Sequence, residues 1–133
     1  MLLIYSGQEA ALNRRLEFFE KDEIIWDSIP LEDFYRSLIE LKTKNQALWN
    51  GEYGGEYTRL SSSNMENVFP FGRKKNNNSI IVICNLSADT VQTQINFNTY
   101  KGDYINWFSK DKRSISKQDN FNLSPWEYLV FVK

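Results

Sequence analysis

The spacing of apolar residues divides the sequence into a front part and a back part of different character. The run "LLIY" at 2–5 is continuously apolar, which favours a strand buried on both faces, and Gly7 ends it. Over 31–48, apolar residues recur every three or four positions, which predicts a helix of about five turns. Pro30 and the acidic residues that follow it suit the start of this helix. After Gly51 the pattern changes to short β-rich runs separated by polar turns.

The back part is predicted to be all β. In "VQTQINF" at 91–97 every second residue is polar and amide-bearing, so one face of this strand should be buried. The run "IIVIC" at 80–84 does not alternate and favours a central strand covered on both faces. Short strands at this spacing predict a β-sandwich or a small barrel. They are predicted near 56–61, 67–73, 79–85, 90–97, 103–108, 113–116 and 126–132.

Composition narrows the chemistry that the chain can perform. The 133 residues carry a net charge of −1 with acids and bases interspersed, which argues against a nucleic-acid partner. No apolar run approaches the ~20 residues that a membrane span needs, so no membrane partner is expected. The absence of histidine removes the commonest general base and most zinc sites. The single cysteine, Cys84, is expected to be a buried thiol rather than a reactive one. No cofactor and no metal are expected.

Several segments resemble the carboxyl-terminal part of the α-amylase family of glycoside hydrolases, in that family's order and spacing. Tyr5, Gly7, Gln8 and Glu9 match the family's motif at the end of the eighth barrel strand, and 31–48 match the helix that closes the barrel. The segments that carry the likeness are "LLIYSGQEAAL", "LEFFEKDEIIW", "FYRSLIELKTKNQALWNGEY", "VFPFGR", "IIVICNLS" and "LSPWEYLVFV".

This resemblance implies two domains. Residues 1–50 would be the last strand, loop and last helix of an incomplete (β/α)8 catalytic barrel, and residues 51–133 would be an all-β C-terminal domain. The expected fold class is therefore mainly β: a Greek-key β-sandwich preceded by a strand-loop-helix remnant of a barrel. The apolar run at 2–5 would then be a barrel strand whose partner strands belong to polypeptide that precedes Met1.

The same resemblance implies a function. The family's catalytic nucleophile, acid and supporting carboxylate lie on earlier barrel strands, and no segment here matches their motifs. Retaining glycoside hydrolysis needs two carboxyl groups ~5–5.5 Å apart. We therefore expect a non-catalytic segment of an α-amylase-like enzyme that acts on α-glucans such as starch and maltooligosaccharides. The β-domain would stabilise the catalytic barrel, and the chain alone is expected to be inactive. Localisation is left open.

Two acidic residues are candidates for a loop that borders the substrate groove. Glu9 follows the predicted barrel strand at the end where barrel enzymes hold catalytic groups, but the preferred interpretation is that it fixes the loop through an ion pair or backbone hydrogen bonds. Asp22 lies on the following loop with Glu23 and Asp27, and such a cluster could bind calcium. Their spacing matches no calcium-loop motif, so a solvated loop is the preferred interpretation.

Aromatic side chains support a different class of function, carbohydrate binding. Sugars stack on exposed Trp and Tyr rings, and Trp107 and Tyr104 are the candidates for glycan stacking. Burial in the core or at a domain interface is the commoner fate of such residues. Trp126 is expected to lie in the core between the sheets, and one of the neighbours Trp107 and Phe108 should face outward or toward another domain.

A third hypothesis is a protein-interaction domain with no role in sugar chemistry. The uncovered edge of a lone barrel strand and the apolar face of the helix would favour a partner. In the first hypothesis this partner is the catalytic barrel. For the chain alone, a homodimer through the exposed surfaces of the barrel remnant is expected, or a remnant that folds back on the sandwich.

Overall fold

The computed structural model describes residues 3–17 and 19–133. The chain divides into two compact units, Met1–Lys44 and Asn45–Lys133. The described residues are mainly β and hold one α-helix, which confirms the expected fold class at the level of the β-rich second unit.

In the first unit, Leu3–Tyr5 do not form a strand, so the predicted barrel strand is not present in the described residues. A strand needs a neighbour that accepts and donates its backbone hydrogen bonds, and this unit contains no strand among its described residues. The chain turns instead, and Gly7 has a φ of +93° that a side chain would disfavour. Leu2, which belongs to the same prediction, lies outside the described residues, as does Phe18.

The helix α1 runs from Glu32 to Lys44 and is shorter than the sequence predicted. Acidic residues occupy its first turn and lysines its last turn, which complements the helix dipole. Asn45 ends it early, because its side-chain oxygen accepts a hydrogen bond from Ala47 N at 3.0 Å and caps a short 3-10 turn, Gln46–Leu48. Leu41 on its apolar stripe is buried. No helix in the described ranges is long and apolar enough to cross a membrane.

The second unit is built from two antiparallel sheets. The larger sheet has the strand order β1-β3-β4-β9-β6-β7, and the smaller has the order β2-β5-β8. The strands are β1 Glu56–Arg59, β2 Ser61–Ser62, β3 Val68–Lys75, β4 Asn78–Asn85, β5 Val91–Asn96, β6 Gly102–Asn106, β7 Lys112–Ile115, β8 Gln118–Leu123 and β9 Tyr128–Val132.

The sequence pattern places the core correctly. In β5 the residues Val91, Thr93 and Ile95 are buried and the glutamines between them are exposed, as the alternation predicts. The strand β4 lies between β3 and β9, and Ile80 and Ile81 on its opposite faces are both almost fully buried. The central position predicted for "IIVIC" is therefore confirmed.

The hydrophobic core lies between the two sheets and contains a row of three neighbouring phenylalanine rings. The Phe97 ring centroid lies 5.8 Å from that of Phe121, which in turn lies 6.4 Å from that of Phe131. These separations are in the range that aromatic pairs prefer. Because the three rings come from different strands or turns, they tie the smaller sheet to the larger one.

Three expectations about the second unit are wrong. Strand β8 was not expected, because only Phe121 and Leu123 in "QDNFNL" face the core and the remaining residues are polar. Trp126 is 63% exposed rather than in the core, because it lies in the turn before β9 with a φ of +58°. Trp107 and Phe108 are both partly buried, since β6 ends at Asn106 and strand alternation does not extend to them.

A close contact at Gly72 can be tested. A Cβ atom added there would lie 2.5 Å from Cε1 of Tyr100, whose hydroxyl donates to Thr58 Oγ1 at 3.1 Å on the neighbouring strand. Because the ring is held at both ends, we expect Gly72→Ala to lower the free energy of unfolding by about 1–3 kcal/mol, measured by urea denaturation. Gln92→Ala, at an exposed position of β5, should change it by less than about 0.5 kcal/mol. Equal stabilities of the two variants would contradict the close contact.

Candidate functional site

The tight turn that contains Glu9 is held by its own backbone. Gln8 closes it twice, since its backbone N donates to Tyr5 O at 3.1 Å and its side-chain oxygen accepts from Tyr5 N at 2.8 Å. Leu31 N donates to Glu9 O at 3.1 Å and so connects the turn to the start of α1. The Glu9 position is therefore set by main-chain contacts rather than by its carboxylate.

The Glu9 carboxylate itself has an unusual environment. Its Oε2 atom is buried, and among the described residues it has no hydrogen-bond partner. Buried polar atoms nearly always have a hydrogen-bond partner, so this oxygen lies where a hydrogen-bond donor would normally be found. A cavity of about 380 Å³ opens beside the same turn, and its lining includes Tyr5, Gly7, Gln8, Arg14 and Arg15.

Asp22 lies at the centre of the loop that follows. Its two carboxylate oxygens accept from Arg14 Nη1 and Nη2 at 2.6 and 2.5 Å, and Oδ2 also accepts from Glu17 N at 2.9 Å. Arg14 Nη2 further donates to Glu23 O at 2.9 Å. The hydrogen bond from Arg14 and then that from the Glu17 backbone lower the pKa of Asp22 to about 2. Asp22 is thus a fixed anion at neutral pH and is unsuited to act as a general acid.

The structure relates the two groove candidates through Arg14. That residue binds Asp22 and also lines the cavity beside the Glu9 turn. Glu23 pairs with Lys21 at 3.1 Å, and both side chains are highly exposed. Within residues 3–17 and 19–133, no group of three or more His, Cys, Asp or Glu side chains is arranged to hold a metal ion.

The two candidates for glycan stacking lie in different environments. Tyr104 is 3% exposed, and its hydroxyl is 2.9 Å from Ser79 Oγ, so its ring lies in the core and presents no open face to a sugar. Burial raises the pKa of Tyr104. Trp107 is partly buried, and the Lys110 ammonium lies 4.0 Å from its ring centroid, over the ring. Neither ring therefore presents an open face on which a sugar could stack.

Trp126, by contrast, is displayed on a rigid turn. The buried side chain of Asn85 donates to Ser124 O at 2.8 Å and to Asp89 O at 2.7 Å, which joins two neighbouring turns. The turn is closed by Ser124 N, which donates to Glu127 Oε2 at 2.7 Å. A bulky residue with a positive φ is a backbone outlier, and such positions often have functional roles. The alternation in the sequence predicts burial of Trp126 because it takes no account of this turn.

The outer face of the larger sheet is also apolar. Strand pairing places Phe69, Cys84 and Tyr128 in one row across β3, β4 and β9, and places Phe71 and Val82 in the next row. Phe69 and Tyr128 are 37% and 45% exposed. Cys84 is only partly buried, in contrast to the buried thiol that was expected, and burial raises the pKa of its thiol, as in an unreactive cysteine. This surface, called the outer sheet face below, is more apolar than a fully solvated sheet face.

The sequence of the second unit matches a known family model. The model describes the α-amylase C-terminal all-β domain and matches residues 60–128, just over half of the chain. The chain belongs to the α-amylase C-terminal all-β domain family. The match covers both sheets from β2 to the start of β9, and it confirms the resemblance found in the sequence.

Solved structures share the fold of this α-amylase-type domain. The maltogenic α-amylase AmyB from Thermotoga neapolitana has a TM-score of 0.79 and 19% identity, over 98% of this chain and 32% of its own. An Anoxybacillus α-amylase has a TM-score of 0.68 and 21% identity, over 96% of this chain and 28% of its own. AmyP in complex with maltose has a TM-score of 0.62 and 17% identity, over 77% of this chain and 20% of its own. The chain spans about a third or less of these proteins, and no curated protein matches it.

The pairing of Asp22 with Arg14 predicts a specific pH dependence. Because the folded pKa is lowered, the pair stabilises the loop above pH ~4 and that contribution is lost as the pH falls toward about 2. We expect a carboxyl-carbon NMR titration of Asp22 to have its midpoint at about 2. Arg14→Gln should move the midpoint up toward ~3.9, the ordinary value for Asp.

Lys21→Met is the matched control for this titration, since it removes a nearby positive charge that binds Glu23 rather than Asp22. It should leave the Asp22 midpoint almost unchanged. A midpoint near ~3.9 in the unsubstituted protein would show that the Arg14 contact does not persist in solution.

Proposed function

We propose that this chain is the non-catalytic C-terminal segment of an α-amylase-like glycoside hydrolase that acts on α-glucans, and that its β-domain stabilises the catalytic barrel of that enzyme. The family match of the second unit is the observation that carries the proposal. Support comes from the Thermotoga neapolitana structure, a maltogenic α-amylase by its description, whose similarity covers nearly the whole of this chain, first unit included.

The exposed apolar surface of the first unit supports a covering partner. Leu3, Tyr5 and Ile25 are 81%, 64% and 69% exposed, and Trp26 and Ile29 are close to half exposed. A soluble protein seldom leaves so many large apolar side chains in one short segment in contact with water. A catalytic barrel would bury them, and Leu3 and Tyr5 lie in the run that resembles the eighth barrel strand.

The acidic residues support a non-catalytic role. Retaining hydrolysis needs a carboxylate nucleophile and a separate carboxylic acid. Asp22 is held ionised by Arg14, so it cannot supply the proton to a reaction in which Glu9 acts as the nucleophile. In the proposed enzyme both groups instead border the substrate groove, where Glu9 Oε2 would find the hydrogen-bond donor that it lacks among the described residues.

The outer sheet face supports the stabilising role of the β-domain. Its rows of aromatic and aliphatic side chains can bury apolar area, which contributes roughly 25 cal/mol per Å². Ile105 on β6 extends this surface and is 43% exposed. Such a surface suits packing against another domain better than contact with solvent.

The proposal predicts that the purified chain releases no reducing ends from maltoheptaose or soluble starch, because none of its segments matches the motifs of the family's catalytic carboxylates. Glu9→Gln should therefore have no effect in the same reducing-sugar assay. Activity that disappears in Glu9→Gln would contradict the non-catalytic role.

The stabilising role is tested in the enzyme that carries the chain. The reading frame on the 5′ side of the Met1 codon is expected to encode a barrel with the three carboxylate motifs. Removal of Asn45–Lys133 from that enzyme should lower its melting temperature and its starch-hydrolysing activity. A frame without those motifs, or full stability after the removal, would contradict the proposal.

A second candidate function is α-glucan binding by the β-domain itself. The observation that favours it is the exposed Trp126 ring on its rigid turn. An indole face presented with little conformational freedom is suited to stack on the apolar face of a pyranose ring, because little entropy is lost on binding. Exposed Leu86 lies on the neighbouring turn, where Ser87 O accepts from Trp126 N at 3.1 Å.

Affinity electrophoresis in amylopectin gels tests this second candidate. If Trp126 stacks on α-glucan, the chain should be retarded, and Trp126→Asn should migrate as it does in a gel without polysaccharide. Asn is chosen because it tolerates a positive φ. Trp26→Asn, which removes a half-exposed ring from the first unit, should leave the retardation unchanged. Equal mobility with and without amylopectin would exclude α-glucan binding by this chain.

A further inference from the structure

A polar cavity of about 290 Å³ opens at one end of the β-sandwich. Its walls come from the turn between β3 and β4, the 3-10 turn Asn98–Tyr100, and the chain beside β6 and after β9. We propose that this cavity binds a phosphate group, either as the free ion or as a phosphomonoester. This inference does not depend on the proposed function, since it concerns a different part of the molecule.

Three lysines supply the positive charge. Lys74, Lys101 and Lys133 line the cavity, and no carboxylate side chain does. Within the described residues, none of the three ammonium groups belongs to an ion pair. The whole chain has a net charge of −1, so three unpaired ammonium groups around one cavity leave a local excess of positive charge even when the α-carboxylate of Lys133 is counted. Lysine is a common phosphate ligand because its ammonium carries three donors and can follow a multiply charged anion.

The position of Lys133 is set by its backbone and by a glycine. Its backbone N and O exchange hydrogen bonds of 2.9 Å with Ser79, and its ammonium lies 5.9 Å from the Tyr104 ring centroid. A Cβ atom added to Gly102 would come within 2.8 Å of Lys133 Nζ. The ammonium therefore occupies space that is available because residue 102 has no side chain.

Two buried hydroxyl groups form the polar floor of the cavity. Ser79 Oγ and Tyr104 Oη lie 2.9 Å apart, and each residue is 3% exposed. The pair holds two hydroxyl hydrogens, and the bond between them uses only one. The other is available to a phosphate oxygen. Burial raises the pKa of Tyr104, so its hydroxyl stays protonated and able to donate at neutral pH.

An adjoining cavity provides room for the organic part of a phosphomonoester. It has a volume of about 600 Å³ and shares Tyr104 and Lys133 with the first cavity. Lys112 adds positive charge along its wall, and Asp103 is the only acidic residue among those that line it. Anion binding at the smaller cavity would therefore be supported by the field of the larger one.

The proposal is tested by titrating the ¹⁵N-labelled full chain with inorganic phosphate at constant ionic strength, with chloride as the balancing ion. We expect saturable shifts of amide signals around Ser79, Thr99 and Lys101. Lys101→Met and Lys133→Met should each weaken binding about tenfold, because a charge-assisted hydrogen bond is lost. Lys21→Met, an exposed lysine of the first unit that lines neither cavity, should leave binding unchanged.

Ser79→Ala separates the hydroxyl floor from the lysines and should also weaken phosphate binding while the amide spectrum shows a folded chain. Tighter binding of glucose 6-phosphate than of inorganic phosphate supports a phosphomonoester ligand, and the reverse order supports the free ion. Shifts that do not saturate with either probe, or an equal loss in Lys21→Met, would overturn the proposal. So would unchanged binding in both Lys101→Met and Lys133→Met.

Discussion

The return of the last strand to the middle of the larger sheet is the constraint on which the second unit depends. Strand β9 pairs with β4 on one side and with β6 on the other. Without it, β4 would have an open edge and the β6–β7 hairpin would have no sheet to join. The same strand carries Phe131 into the aromatic core and leaves Tyr128 on the outer sheet face. Both the core and the outer surface therefore require contacts between residues far apart in the chain.

Polar side chains then determine the ends of the sandwich. At one end, buried Asn85 joins the turns before β5 and β9, so that Trp126 is displayed rather than packed. At the cavity end, Ser79 binds the backbone of Lys133 and pairs with the Tyr104 hydroxyl. In each case a buried polar group, which must be hydrogen-bonded, holds an exposed side chain in position. The exposed Trp126 ring and the cationic cavity therefore follow from the hydrogen bonds that buried polar side chains make at the two ends of the sandwich.

The first unit has a different kind of order. Its contacts are mostly short-range, such as Arg14 with Asp22 and the turn that Gln8 closes, and several of its large apolar side chains face solvent. Local hydrogen bonds can hold loops of this size without a large core, but they do not bury apolar area. Membership of the α-amylase C-terminal domain family accounts for the second unit, and the proposed barrel would supply the burial that the first unit lacks.

Local pattern in the sequence determined the elements that depend on side-chain periodicity. The alternation around Ile95 placed β5, the apolar run around Ile81 placed β4 at the centre of a sheet, and the resemblance to the α-amylase family was confirmed. The sequence pattern does not predict strand β8, because a strand that buries only two side chains resembles a polar loop. It also predicts too long a helix α1, because Asn45 ends the helix by capping a new turn. The apolar run at the start was read as a strand, but a strand exists only when another one pairs with it.

The candidate sites were less accessible to sequence reasoning. Glu9 and Asp22 could be found because a motif and a charged loop mark them, yet the bond from Arg14 that keeps Asp22 ionised is not visible in the sequence. The exposure of Trp126 follows from a backbone turn that alternation does not describe, whereas the burial of Tyr104 follows from its inward position in β6. Lys74, Lys101 and Lys133 are separated by more than twenty residues each, and only the strand order brings them to one cavity. Periodicity is a local property that the sequence carries by itself, whereas a site made from distant side chains exists only once the backbone hydrogen bonds of the sheets have chosen their partners.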